Sequence, residues 1–450
     1  MQSSLIPVGR WALLGLCVLG CSWSRFEDVT ADAPIVLFSK PGSMKQGYGV
    51  SLSTATNAGH TEVLVGGGVG VSGAALYEIG SEDSPGTTSI DTGYCTGGDA
   101  CFLSSFAGAF ANHVGPDKAR PLCFAVGVGA IGAAEGLVVR CQDQSEYTLD
   151  VPAAALKLLK FSIANQQPYD HPMATDRTDA PVLLVTLPYN QTAWFYPSKS
   201  IHPSELKLPK ALIASDASFG TSLTVLTVGD GRVLAIGVPG KSEVLLWKME
   251  TAATTQSSYI GCLGGLPGLG RALGSGNVNR DEAADLVVSD DVNVHVIDGQ
   301  ALFQMPETTS EECGFASLPS GALLNSFGCG SSSSLSGCAT SEFGAAVAVG
   351  DLDGDGDGEV IVGAPQMTVR GESAAGALLV FEADKPSESA FVDAKFLSSA
   401  TAGDLLGSAI VTPHLANRDI IAAGAPGNGK AALFYCSPLL PHGAAGSRCP

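Results

Sequence analysis

The sharpest chemical signal in the chain is Asp351-Leu352-Asp353-Gly354-Asp355-Gly356-Asp357-Gly358-Glu359. Three carboxylates stand at alternate positions, a glycine permits a sharp turn, and a fourth carboxylate, Glu359, closes the loop. Oxygen ligands at that spacing wrap a hard cation, which means Ca²⁺. An EF-hand is a poor match, because its twelfth position holds Val362 where a bidentate Glu is needed, and the flanks read as strands. A degenerate copy runs Asn277-Val278-Asn279-Arg280-Asp281-Glu282-Ala283-Ala284-Asp285. Asn277, Asn279, Asp281 and Asp285 keep oxygen ligands there, but only two of the four are charged and Glu282 stands where the turn glycine should be. Any calcium held this way has a structural role, making a hairpin rigid. Its affinity is expected to be modest, on the order of 10⁻⁴ to 10⁻³ M, as in extracellular modules.

Other chemistries find little support. No CxxC or HxxxH pair occurs and the seven His are scattered singly, which argues against zinc. GxSxG, HExxH and a Cys-His motif with family spacing are missing too. Gly68-Val69-Gly70-Val71-Ser72-Gly73 matches GxGxxG after the strand Val63-Leu64-Val65, yet no helical pattern follows it, so a dinucleotide site is rejected. Gly427-Asn428-Gly429-Lys430 lacks the Walker spacing. Ile201 to Glu205 and the aromatic run Trp194-Phe195-Tyr196 read as a surface loop and a core strand rather than a channel-lining site.

The elements that position the acidic loop come from an internal repeat. An aromatic residue or Leu is followed by a small residue, a short apolar strand, a polar turn, a second strand closing in Gly-Ala-Pro or similar, and a third strand. The clearest copy is Phe343-Gly344-Ala345 to Gly350, the acidic loop, Glu359 to Pro365, and Ala377-Leu378-Leu379-Val380-Phe381. Further copies start near Tyr48-Gly49, Phe106-Ala107-Gly108, Phe219-Gly220, Leu269-Gly270 and Leu406-Gly407, with a weak one near Phe161-Ser162-Ile163 that lacks the glycine. Each unit is a small antiparallel sheet unable to bury both faces alone, so neighbours must stack and the ring must close to protect the edges. Ile35-Val36-Leu37-Phe38, ahead of the first repeat, is placed to add an outer strand to the last one and join the chain ends.

This pattern resembles the FG-GAP repeat family of integrin α-subunit propellers over essentially all of residues 33–450. The resemblance implies an all-β, seven-bladed β-propeller of four-stranded antiparallel blades. In such repeats the loop between the first two strands reads D-x-D-x-D-G-x-x-D and binds calcium. Carried over, Asp351, Asp353, Asp355 and Glu359 take the side-chain positions and Asp357 offers its backbone carbonyl, with Glu359 replacing the usual Asp.

Residues 1–20 carry one charge, Arg10, before the apolar run Trp11 to Gly20, which is too short to span a bilayer and has the shape of a secretory signal. Val18-Leu19-Gly20-Cys21 resembles the bacterial lipobox. That resemblance implies acylation of Cys21, a tether over 21–32 and, from Ser22, sorting to the outer membrane. Of 12 cysteines, ten remain after Cys17 and Cys21, an even number for an oxidising compartment. Short separations pair Cys95 with Cys101, Cys123 with Cys141, Cys329 with Cys338 and Cys436 with Cys449, leaving Cys262 with Cys313. Once Arg10 is removed, 23 basic residues face 44 acidic ones, so nucleic acid is excluded as a partner. The expected function is a non-enzymatic, monomeric cell-envelope scaffold that binds a protein or glycan. A propeller-housed hydrolase or lyase with a site at the channel mouth, and a carbohydrate-binding module, are the alternatives.

Overall fold

The computed structural model describes residues 35–38, 48–57, 60–66, 74–79, 87–91, 101–109, 123–130, 136–141, 146–150, 173–175, 182–187, 191–198, 200–207, 218–310, 312–315, 318–329, 340–385, 390–415 and 418–434. They form an all-β protein whose strands pair antiparallel. The described strands make seven four-stranded sheets and a two-stranded hairpin, His414–Leu415 with Arg418–Asp419. Six of the four-stranded sheets run in simple sequence order. Their first strands are Ser51–Asn57, Cys101–Ala109, Met173–Thr175, Leu223–Val228, Leu273–Gly276 and Val347–Gly350. The seventh sheet starts at Ala409–Val411, continues with Ile421–Ala425 and Lys430–Phe434, and takes its fourth strand, Ile35–Leu37, from the other end of the chain. Each first strand lies against the first strand of the next sheet, and the series returns from Ala409–Val411 to Ser51–Asn57.

The repeat's glycine explains how the sheets meet. Gly49, Gly220, Gly270, Gly344 and Gly407 all have positive φ, between 68° and 93°, a conformation that glycine adopts without steric cost. Each follows a buried aromatic residue or Leu: Tyr48, Phe219, Leu269, Phe343 and Leu406. Each donates its N–H to the carbonyl of a second-strand residue in its own sheet: Gly66, Gly237, Ser289, Gly363 and Gly424 respectively. The partner position then meets the next sheet. A Cβ on Gly237, Gly363 or Gly424 would lie 2.3, 2.1 or 1.7 Å from the carbonyl oxygen of Gly270, Gly407 or Gly49. Where the second strand carries Thr186 or Ser289 instead, its hydroxyl donates to Gly220 or Gly344 O, each at 2.8 Å.

One repeat departs from the sequence reading, and another is not described. Phe106-Ala107-Gly108 lies within the first strand of sheet two rather than before it, in a stretch broken by register shifts at Leu103/Phe106 and Ala107/Ala109. Phe161-Ser162-Ile163 is outside the described residues, and the first strand of sheet three is Met173–Thr175.

Sheets one and seven share a core in which Phe38, Tyr48, Val63 and Tyr77 pack with Leu415, Ile420, Ala422 and Leu433. At the far end of sheet seven the Asp404 carboxylate is fully buried. It accepts from Lys430 Nζ at 2.8 Å, Asn428 Nδ2 at 2.7 Å and Thr401 N at 2.7 Å. Burial pushes its pKa up, but the bonds from Lys430, Asn428 and Thr401 outweigh burial and leave it below the ordinary carboxylate value. A depressed carboxylate stabilises above its unfolded pKa and loses that contribution as pH falls through the folded one. Asp404→Ala should therefore cost roughly 3–5 kcal/mol at pH 7, and progressively less as pH falls below about 4, the ordinary carboxylate value, towards the lower folded one. Urea titrations of both chains across this pH range check this.

Between the third and fourth strands of sheet five, Glu307, Thr308, Cys313 and Gly314 meet the outer strand of sheet four, Ser258–Gly264. Thr308 N donates to Tyr259 O at 3.0 Å and Ser258 Oγ to Glu307 Oε1 at 2.6 Å, so this edge is covered rather than left as a template for pairing. A disulfide joins Cys262 to Cys313 there. Cys123 and Cys141 stand directly opposite each other on paired strands, within the Cα separation a disulfide needs. Cys329 is also disulfide-bonded. Cys95, Cys338, Cys436, Cys449, Cys21 and the leader lie outside the described residues.

Candidate metal centre

The acidic loop spans the gap between Val347–Gly350 and Glu359–Ala364, two wholly buried strands of sheet six. Their apolar residues fix the ends, and Gly354 and Gly356, with φ of 79° and 97°, let the chain reverse between them. Asp351 folds the loop around itself: Oδ1 accepts from Gly354 N at 2.7 Å and Asp355 N at 3.1 Å, and Oδ2 from Gly356 N at 3.0 Å. Glu359, only 4% exposed, accepts from Leu352 N at 2.7 Å. Oxygen atoms of Asp351, Asp353 and Glu359 come within 4.8 Å of one another.

Electrostatics make this trio costly without a cation. Burial, reinforced by the charges of Asp353 and Asp351, pushes the Glu359 carboxyl up to about 8. Burial and then the charge of Asp355 raise Asp353 as well. An all-oxygen, all-carboxylate donor set with one buried member suits a hard divalent ion, and the residues present fit calcium on that chemistry.

Asp355 and Asp357 do not join the trio. Both carboxylates pair with the Arg280 guanidinium, which reaches across from sheet five, Asp357 Oδ1 at 2.7 Å. Two neighbours pin the loop from either side. Gly358 N donates to Asn277 O at 2.7 Å. On the other flank Asp419 N donates to Asp351 O at 2.6 Å, while Asp351 N donates to Asp419 Oδ2 at 3.1 Å.

The degenerate loop gathers one carboxylate that its spacing does not predict. Asp281 and Asp285 meet Asp298, with oxygens within 4.8 Å. Asn279 Nδ2 donates to Asp281 Oδ2 at 3.1 Å. Asn277 Oδ1 accepts from Asn279 N and Arg280 N, and Asn279 Oδ1 accepts from Asp281 N, so both amides serve the turn itself. Arg280 and Glu282 take positive φ, 62° and 69°, where the sixth-sheet loop has glycines. Asp285 is fully buried, accepts from Val278 N and Gly299 N, and is pushed up to about 7 by burial. Asp298 caps the short helix Gly299–Phe303 through Ala301 N at 2.8 Å.

With this geometry described, the family comparison bears on the unit that carries it. Residues 343–381 match the family model of the FG-GAP repeat. This unit is an FG-GAP repeat. It runs from the buried Phe343 and the positive-φ Gly344, through the acidic loop, to the end of the third strand at Phe381. No curated protein shows significant sequence similarity to the chain. Among solved structures the chain is similar to the selenomethionine-substituted virginiamycin B lyase from Staphylococcus aureus, at 8% identity and a TM-score of 0.47, with 89% of this chain and 98% of that chain covered.

The other flagged residues fall outside the FG-GAP loop. Trp194, Phe195 and Tyr196 are core, with Trp194 Nε1 donating to Tyr196 Oη and that hydroxyl to Asp150 O. His202 is exposed and pairs with Asp150 at 2.6 Å. The segment after Gly73 is the strand Ala74–Ile79, where a dinucleotide motif needs a helix.

Proposed function

We propose that the chain is a non-enzymatic binding scaffold: a seven-bladed β-propeller, stiffened by calcium at its FG-GAP loop, exported and held at the cell envelope by a lipid on Cys21. The observation that carries the scaffold reading is the composition of the seven first strands. They touch in cyclic order, as the strands around a propeller axis do, and apart from Cys101 they contain no ionisable residue. Among their described side chains, the Thr224 hydroxyl is engaged with the neighbouring sheet, Oγ1 donating to Ser275 Oγ at 3.0 Å. Among the described residues these strands carry no carboxylate, imidazole or amine to act as general acid, base or metal ligand, which favours binding over catalysis. The partner, a protein or a glycan, then binds the loops on the rims of the disc.

Calcium is the part of this reading that one experiment decides. Asp351, Asp353 and Glu359 supply the preformed oxygens, and Asp355 completes the set. Calorimetric titration of the purified chain should give a single event with Kd on the order of 10⁻⁴ to 10⁻³ M. Asp351→Ala removes both a ligand and the acceptor for three loop N–H groups, and should abolish the heat. No heat from wild type would end the calcium reading. A glycan and protein array probed with the calcium-loaded chain tests the scaffold, and turnover of an arrayed glycan in place of retention would count against it.

A further inference from the structure

We infer that Arg280 is a resident competitor for the calcium loop, a tethered cation from sheet five that occupies Asp355 until the ion takes it. The inference rests on the calcium reading above. Its starting point is a mismatch: the spacing assigns Asp355 to the ion, but the Asp351, Asp353 and Glu359 oxygens gather as a trio while the Asp355 carboxylate pairs with a guanidinium.

The placement of Arg280 is built rather than incidental. Its backbone stands at φ 62°, a strained region for a residue with a side chain, held there by the bond from its N–H to Asn277 Oδ1 at 2.8 Å. The next link is the 2.7 Å bond from Gly358 N to Asn277 O, which locks the two loops together. A Cβ on Gly358 would stand 2.8 Å from that same oxygen, so glycine is what permits the approach. The guanidinium thereby arrives over Asp355 and Asp357 at once.

Charge explains what this does. The loop carries five carboxylates, Asp351, Asp353, Asp355, Asp357 and Glu359. With the ion bound and Arg280 in place, the local charge is less negative than with the ion alone, and the two cations repel. Asp355 can serve only one of them fully, since an exposed carboxylate shared between a guanidinium and a divalent ion must turn toward the stronger field. Calcium binding therefore loosens the Arg280 contact to Asp355 and leaves Asp357 as the arginine's partner. Arg280 sets how much calcium is needed and ties occupancy of sheet six to the contact with sheet five.

The test is calorimetric calcium titration of the full chain as wild type, Arg280→Gln and Arg280→Lys, at about 50 and 300 mM salt. Arg280→Gln should bind calcium about three- to fivefold tighter, as expected from relieving an exposed ion pair. Arg280→Lys, which keeps the charge on a compact, more strongly hydrated head group, should fall between. The gap between wild type and Arg280→Gln should shrink at the higher salt. Arg280 is half-exposed, so folding of the variants is checked by their melting curves. Unchanged or weaker binding by Arg280→Gln while wild type binds overturns this inference alone. No binding by any of the three chains overturns the calcium reading and this inference with it.

Discussion

Deleting residues 33–40 should lower stability by about 5 kcal/mol and the melting temperature by about 5 °C or more in calorimetry. The segment contributes a strand and an anchor. Ile35, Val36 and Leu37 pair with Phe434, Leu433 and Ala432, and Phe38 N donates to Ala431 O at 2.9 Å. The Phe38 ring, 4% exposed, then crosses to sheet one and packs on Tyr77 with centroids 4.5 Å apart. Residues from the two ends of the chain therefore share one core, and the deletion removes a ladder from sheet seven together with an aromatic contact that joins it to sheet one. Phe38→Ala separates the two effects: it keeps the ladder and should by itself cost about 3–5 kcal/mol. A deletion variant whose melting curve matches wild type would mean that this strand does not hold the ends together.

The clasp was legible in the sequence because its signal is simple, four consecutive apolar residues ahead of the first repeat with nothing else nearby to pair with. The repeat at Phe343-Gly344 was legible for the same kind of reason: aromatic residue, glycine and strand occur in a fixed order that backbone geometry demands. Sheet two misled the reading because Phe106-Ala107-Gly108 copies the composition of that signature inside a strand whose ladder is interrupted by bulges. Composition cannot distinguish a glycine that turns the chain from one that sits within it. At the acidic loop, carboxylates at alternate positions pointed to Asp351, Asp353 and Glu359, whose oxygens gather within 4.8 Å of one another. The true neighbours of Asp355 were hidden, because Arg280 lies 75 positions away and meets it only once two sheets are stacked. Asp298 escaped for a related reason. It follows a different strand of the same sheet, and no local spacing rule connects it to Asp281 and Asp285.

Substituting the second-strand glycines should have the other large effect, and it asks directly whether the ring closes. Gly424→Ala introduces a methyl 1.7 Å from Gly49 O, which is backbone and cannot swing aside. Gly424 does not have positive φ, so the cost is the clash alone, about 3 kcal/mol for forcing atoms into a filled interface. Gly237→Ala and Gly363→Ala press on Gly270 O and Gly407 O in the same way at 2.3 and 2.1 Å. Gly403→Ala is the contrasting case: φ of 77° but nothing within 4 Å, so only the left-handed strain of about 1 kcal/mol applies. Chemical denaturation of the four variants should rank Gly424, Gly363 and Gly237 together and Gly403 well below them. The comparison that matters is between Gly424 and the other two seam positions. Gly237 and Gly363 face sheets that follow directly in sequence and must pack whether or not the ring is complete. Gly424 faces sheet one, which follows only around the circle. In an open stack of sheets its methyl would point into water and Gly424→Ala would be nearly silent, whereas a loss as large as at the two internal seams requires the last sheet to press on the first.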